Sequence, residues 1–281
     1  MRYLTLQVLL AGANLFTGID ARLHVRHSAS NVTAPAYPPS YCTNNTTSAV
    51  PPPSKFGYIL FRGFEPLDIN GPVSALATLG RSRHIDLSMI AETLEPVTSA
   101  PLLPSMNLPN STSFVTMLPT YTFATAPEDL EVQMIPGGSG CRSPYLNATL
   151  TYLQTTYPKL RYLITVCTGS LVASRAGLLD GKYATTNKQG WVGVVATNSH
   201  VHWVPQARWV VDGNIWSTSG VSAGIDGTLG FIECFYGSAV VTAVKNSMEF
   251  DWHQDPHWDP FSVVCNVTAP VYLLRARSRK A

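Results

Sequence analysis

Cys167 is the residue best placed for covalent chemistry. It follows the apolar, mostly β-branched run Leu163-Ile164-Thr165-Val166 and precedes Thr168-Gly169-Ser170-Leu171. A strand that runs into a cysteine, then small residues and a helix, has the layout of a nucleophile elbow, whose tight turn needs small neighbours. A helix start carries partial positive charge, which favours thiolate over thiol, and it presents backbone N–H groups to an anion forming on a substrate. An inert buried cysteine between strand and helix is the alternative reading of the same pattern.

Two further segments bear on that choice. Ile135-Pro136-Gly137-Gly138-Ser139-Gly140 ends another buried run, and Gly137 and Gly138 would let backbone N–H groups approach a ligand. Asp68, in Leu67-Asp68-Ile69-Asn70-Gly71-Pro72, lies just past the first apolar run; by itself it reads equally as a loop residue or helix cap. In an open parallel sheet, ligands bind at the carboxyl ends of the strands, so all three segments would share one edge.

The elements that must position these residues follow from the hydrophobic pattern. Strands are predicted at 56–61, 85–90, 130–135 and 160–166, with helices at 71–79, 145–156, 168–176 and, last, 221–236. Pro72 suits a first helical turn. Residues 92–123 read as short strands and loops, and 208–212 with 214–218 as a hairpin about Gly213. Apolar strands alternating with helices predict an α/β fold with a mostly parallel sheet covered on both faces.

Taken together, these motifs resemble the ThiJ/PfpI superfamily of the class I glutamine amidotransferase-like fold, over residues 55 to 261. They are Phe-Glu-Pro-Leu-Asp-Ile-Asn-Gly-Pro at 64–72, Pro-Gly-Gly at 136–138, Val-Cys-Thr-Gly-Ser at 166–170, Gly-Leu-Leu-Asp-Gly-Lys-Tyr-Ala-Thr-Thr at 177–186, and the run from Asp212 to Asp226 that ends in Ser-Ala-Gly-Ile-Asp. The resemblance implies a flavodoxin-like three-layer sandwich, a homodimer, and the pattern shared by isonitrile hydratases and by the related domains of certain transcriptional regulators. No DNA-binding region is expected after residue 261. Peptidase members carry a histidine after the nucleophile, where Thr168 stands here, and isonitrile hydratases carry one where Asn187 follows the paired threonines.

The implied chemistry is attack of Cys167 on an isonitrile carbon, giving a thioimidate that water releases as a formamide. Asp68 would exchange protons, its acid form favoured by the nearby sulfur, and Gly138 and Thr168 N–H groups would orient the intermediate, with Gly137 and Asn187 beside them. A Cys-dependent activity on glyoxal-like carbonyls, and a non-catalytic module that senses oxidants or only binds a ligand, are the rival readings. No cofactor is expected, and the substrate is a small molecule.

The rest of the chain speaks to compartment. With 45% hydrophobic and 13% charged residues among 281, and a net charge of +2, the composition is that of an ordinary globular protein. The Arg275, Arg277, Arg279, Lys280 run reads as a solvated terminus, so no nucleic-acid partner is expected. Residues 1–21 read as a signal peptide whose apolar run, Leu4 to Phe16, is too short to span a bilayer, leaving no membrane partner. Residues 22–54 read as a Pro/Ser/Thr/Asn-rich linker, 55–261 as the domain and 262–281 as a tail. Sequons at Asn31, Asn44, Asn45, Asn110, Asn147 and Asn266 suit a secretory lumen, and with the resemblance they describe a secreted member of fungal type. Five cysteines leave at least one unpaired; a Cys42–Cys265 bridge pinning both flanks is one possibility, with Cys141 and Cys234 as buried thiols. Lys188 reads as a solvated lysine or, facing the site, an anion contact. No metal site is expected in the His- and Trp-rich stretch 249–261, because Pro256 keeps His253 and His257 off one helix face.

Overall fold

The computed structural model describes residues 35–39, 42 and 50–267. The signal segment 1–21, the sequons at Asn31, Asn44 and Asn45, and the basic run from Arg275 lie outside the described residues.

The centre of the fold is a seven-stranded sheet in the order β10-β11-β7-β6-β1-β2-β5. Its middle strands are β1 (Lys55–Ile59), β6 (Val132–Ile135) and β7 (Tyr162–Thr165), each almost wholly buried. They pair in parallel, as do β2 (Asp86–Ala91) with β5 (Tyr121–Thr122) and β7 with β11 (Ile215–Thr218). Burial on both faces explains why these strands read as continuous apolar runs. Only β10 (Trp209–Asp212) runs antiparallel, joined to β11 by a hairpin with Gly213 at φ +61°. Two-stranded pairs, β3 (Val97–Thr98) with β4 (Thr116–Met117) and β8 (Tyr183–Ala184) with β9 (His202–Trp203), lie outside the sheet.

Helices flank the sheet. One group is α1 (Pro66–Leu79), α5 (Ala223–Tyr236) and α6 (Ser238–Ser247), which share a core of Ala75, Leu79, Leu229, Ile232 and Val244. The other contains α2 (Asn147–Thr156) and α3 (Gly169–Arg175), packed on the main core. Short helices α4 (Trp191–Val195) and α7 (Pro260–Val264) complete the described elements. None of these helices is long and apolar enough to cross a membrane.

Three expectations need correction. Helix α1 begins at Pro66, five residues before the predicted start, so Pro66 takes the first-turn role and Pro72 sits inside the helix. An interior proline lacks the N–H that would bond the carbonyl four residues back, here that of Asp68; the buried Tyr58 hydroxyl donates to that carbonyl instead. Helix α5 is not the last, since α6 and α7 follow. The flanks are also less free than a linker and tail: Tyr37 sets its ring edge-on to Trp209 and Trp216, and Val267 is buried.

The disulfide joins Cys42 to Cys234, not to Cys265. Cys234 lies in the last turns of α5, where the N-terminal arm reaches it, while Cys265 follows α7 as a free, half-buried thiol.

Candidate active site

Because β7, β6 and β1 are adjacent and parallel, the residues that follow them meet at one edge. Cys167 comes after β7, the Gly137-Gly138 turn after β6, and Asp68 after β1, in the first turn of α1. Cys167 adopts φ +57°, the left-handed region that a side chain other than glycine enters at a cost of about 1–3 kcal/mol. What holds it there is its carbonyl, which accepts from the hydroxyls of Ser170 (3.2 Å) and Thr186 (3.1 Å). Gly169 permits the turn: a β-carbon there would stand 2.2 Å from the Ile135 carbonyl oxygen.

Two loops lace Asp68 into this edge. The Glu65 N–H donates to the Gly137 carbonyl (2.8 Å), the Gly140 N–H to the Gly63 carbonyl (3.0 Å), and the Gly137 N–H to Asp68 Oδ2 (2.7 Å). Gly137 must be a glycine, because a β-carbon there would lie 2.6 Å from the Thr168 nitrogen and 2.7 Å from Asp68 Oδ2. The other carboxyl oxygen, Oδ1, is buried without a hydrogen-bond acceptor's usual donor among the described residues, while the carboxyl as a whole faces the Cys167 thiol.

The electrostatics favour protons on both groups. Burial, with Glu65 nearby, raises the Asp68 carboxyl to about 7 against the pull of the Gly137 N–H and Cys167. Burial and the neighbouring Asp68 push the Cys167 thiol well above its ordinary value, although the Thr168 N–H and hydroxyl pull the other way. Burial thus works against the thiolate that the start of α3 favours, and outweighs the pull of the Thr168 N–H and hydroxyl. Both residues are buried: Cys167 keeps 6% of its surface exposed and Asp68 none.

The predicted oxyanion donors are arranged differently. The Gly138 N–H is taken by Thr168 Oγ1 at 3.0 Å, and that hydroxyl lies 3.5 Å from the buried thiol of Cys141. The Thr168 N–H faces the Cys167 sulfur. Asn187 Oδ1 accepts from the Gly190 N–H (2.8 Å), and its amide N–H₂ has no hydrogen-bond partner among the described residues. Lys188 is neither solvated nor a substrate contact. It is buried against Asp259 (3.2 Å) and donates to Thr185 Oγ1 (2.6 Å) and the Ala207 carbonyl (3.1 Å), holding the Asn187 loop from below. The His- and Trp-rich stretch packs onto α5: the His253 N–H bonds Asp226 Oδ1 (3.0 Å) and its ring stacks on Trp258. Asp226 in turn pairs with buried Arg208.

Residues 55–233 match the DJ-1/PfpI family. The chain belongs to the DJ-1/PfpI family. It is 32% identical to isonitrile hydratase of Pseudomonas putida over 238 residues, 81% of this chain and 90% of that protein. A ThiJ/PfpI family protein from Pseudomonas syringae superposes with a TM-score of 0.59 at 25% identity, over 80% of this chain and 84% of the other. Drosophila melanogaster DJ-1beta shares the fold, with a TM-score of 0.55 at 20% identity, over 71% of this chain and all of its own. The fold is thus the flavodoxin-like α/β sandwich of DJ-1/PfpI proteins.

Sequence reasoning missed Tyr58, Thr186 and Ser170. The paired threonines at 185–186 were a visible signal. The role of Tyr58 emerges only when distant segments meet.

Proposed function

We propose that this DJ-1/PfpI protein is an isonitrile hydratase-like enzyme in which Cys167 is the nucleophile and Asp68 the proton carrier. The observation that carries the reading is the buried Asp68 carboxyl, raised to about 7, facing the Cys167 thiol at a strained elbow, in a chain 32% identical to an isonitrile hydratase.

The addition needs a proton as well as sulfur. The Cys167 sulfur bonds to the terminal isonitrile carbon as Asp68 delivers its proton to that carbon and accepts the thiol proton, giving a thioimidate, R–N=CH–S, with Asp68 again neutral. Water then adds, hydroxyl to carbon and proton to nitrogen. The C–S bond breaks, the hydroxyl proton returns through Asp68 to sulfur, and the N-substituted formamide leaves. The Thr168 N–H steadies the sulfur. A resident thiolate is not needed. That also weighs against an oxidant sensor, whose thiol must ionise readily, and the absence of a histidine base weighs against glyoxal chemistry.

A secreted, homodimeric protein is part of the proposal: Asn110, Asn147 and Asn266 are exposed, and a disulfide suits an oxidising lumen. The deciding experiment incubates the protein with an aryl isonitrile or methylglyoxal, each beside Cys167→Ala. Formamide release lost in the variant is expected. Turnover of the isonitrile by Cys167→Ala at the wild-type rate would sink the reading.

A further inference from the structure

Arg142 follows the glycine-rich turn after β6, four residues past Gly138, and its side chain is exposed. Its guanidinium has no hydrogen-bond or ion-pair partner among the described residues, whereas the buried arginine, Arg208, is paired with Asp226. Where it points is fixed by one spot. Arg142 Nη2, the Thr168 methyl and Asn187 Oδ1 all lie within 3.6 Å of the point where a β-carbon on Gly190 would sit. Arg142 Nη2 is also 3.7 Å from the corresponding point on Gly193. A cation without a partner among the described residues and the residue after the nucleophile thus come together from separate loops, beside the Asn187 carbonyl oxygen. Gly190 keeps the space between them open.

We infer that Arg142 receives an anionic group on the substrate, so that the molecule presented to Cys167 is a small isonitrile bearing a carboxylate. The inference rests on the proposed reaction for the word isonitrile, and on geometry alone for the word anionic. An arginine fork matches the two oxygens of a carboxylate. Of the other charged groups near the site, only Glu65 opposes an anion. Asp68 is held neutral up to about pH 7, and Lys188 is consumed by Asp259. Glu65 is the one carboxylate whose charge is felt at Asp68, and an anionic substrate needs a cation such as Arg142 to offset it.

The test compares substrates that differ only in that charge. Isocyanoacetate and its methyl ester are given to the wild type, to Arg142→Gln and to Arg142→Lys. The expected result is a preference in kcat/KM for the acid over the ester that falls about tenfold or more in Arg142→Gln and partly returns in Arg142→Lys. A second readout does not depend on hydration: the rate ratio of Cys167 alkylation by iodoacetate and by neutral iodoacetamide, followed by mass spectrometry. That ratio should fall in parallel in Arg142→Gln. An equal ratio in wild type and Arg142→Gln overturns the inference. If neither isonitrile is hydrated while the alkylation ratio still collapses, the hydratase reading fails and anion recognition by Arg142 stands.

Discussion

At the scale of single residues, the site stores its chemistry in protons. Asp68 is raised from 3.8 to about 7 by burial, so the folded chain binds this proton more tightly than the unfolded one. Stability should therefore fall as pH rises through that window. Asp68→Asn keeps an acceptor for the Gly137 N–H but cannot ionise. Thermal denaturation of the two proteins should show a steeper decline in Tm between acid and neutral pH for the wild type; parallel curves would contradict the assignment. The same carboxyl gives turnover its pH limit. Isonitrile hydration should decline as pH passes about 7, and Asp68→Asn should lose at least about a hundredfold in kcat, within the range expected of a general acid.

At the scale of elements, α1 shows how a helix can tolerate a proline and use the consequence. Pro72 removes the partner of the Asp68 carbonyl, and the Tyr58 hydroxyl replaces it. Tyr58→Phe should cost about 1–3 kcal/mol in chemical denaturation, the cost of an unpaired buried carbonyl. In a Pro72→Ala background, where an N–H is restored, that cost should shrink; equal costs in both backgrounds would rule the link out. The Asn187 loop depends on Lys188 in a comparable way. Lys188→Met leaves the buried Asp259 carboxylate unpaired and should destabilise by about 3–5 kcal/mol.

At the scale of the whole molecule, the Cys42–Cys234 bridge ties the arm before β1 to the end of α5, 192 residues away in sequence. Peptide mapping without reduction should recover Cys42 joined to Cys234 and Cys265 alone. Cys42→Ser should lower stability by about 2–5 kcal/mol, with Tyr37 still seated on Trp209 and Trp216. The parallel sheet does the rest of the assembly. Its order sets β7, β6 and β1 side by side, so that short loops of small residues after each strand suffice to bring sulfur, backbone donors and carboxyl together.

The strands, the elbow at Cys167, the glycine turn and Asp68 were legible from residue order, because buried parallel strands are continuous apolar runs and tight turns demand small residues. Sequence also carried the family motifs. It did not tell which cysteine Cys42 meets, where α1 begins, that Lys188 is buried in an ion pair, or that burial would leave Cys167 protonated. Each of those depends on what lies across space from a side chain: a bond partner, a hydroxyl that stands in for a missing N–H, or the water that a close-packed edge excludes. Local propensity is written along the chain, whereas solvation and pairing are decided only when distant segments close on one another.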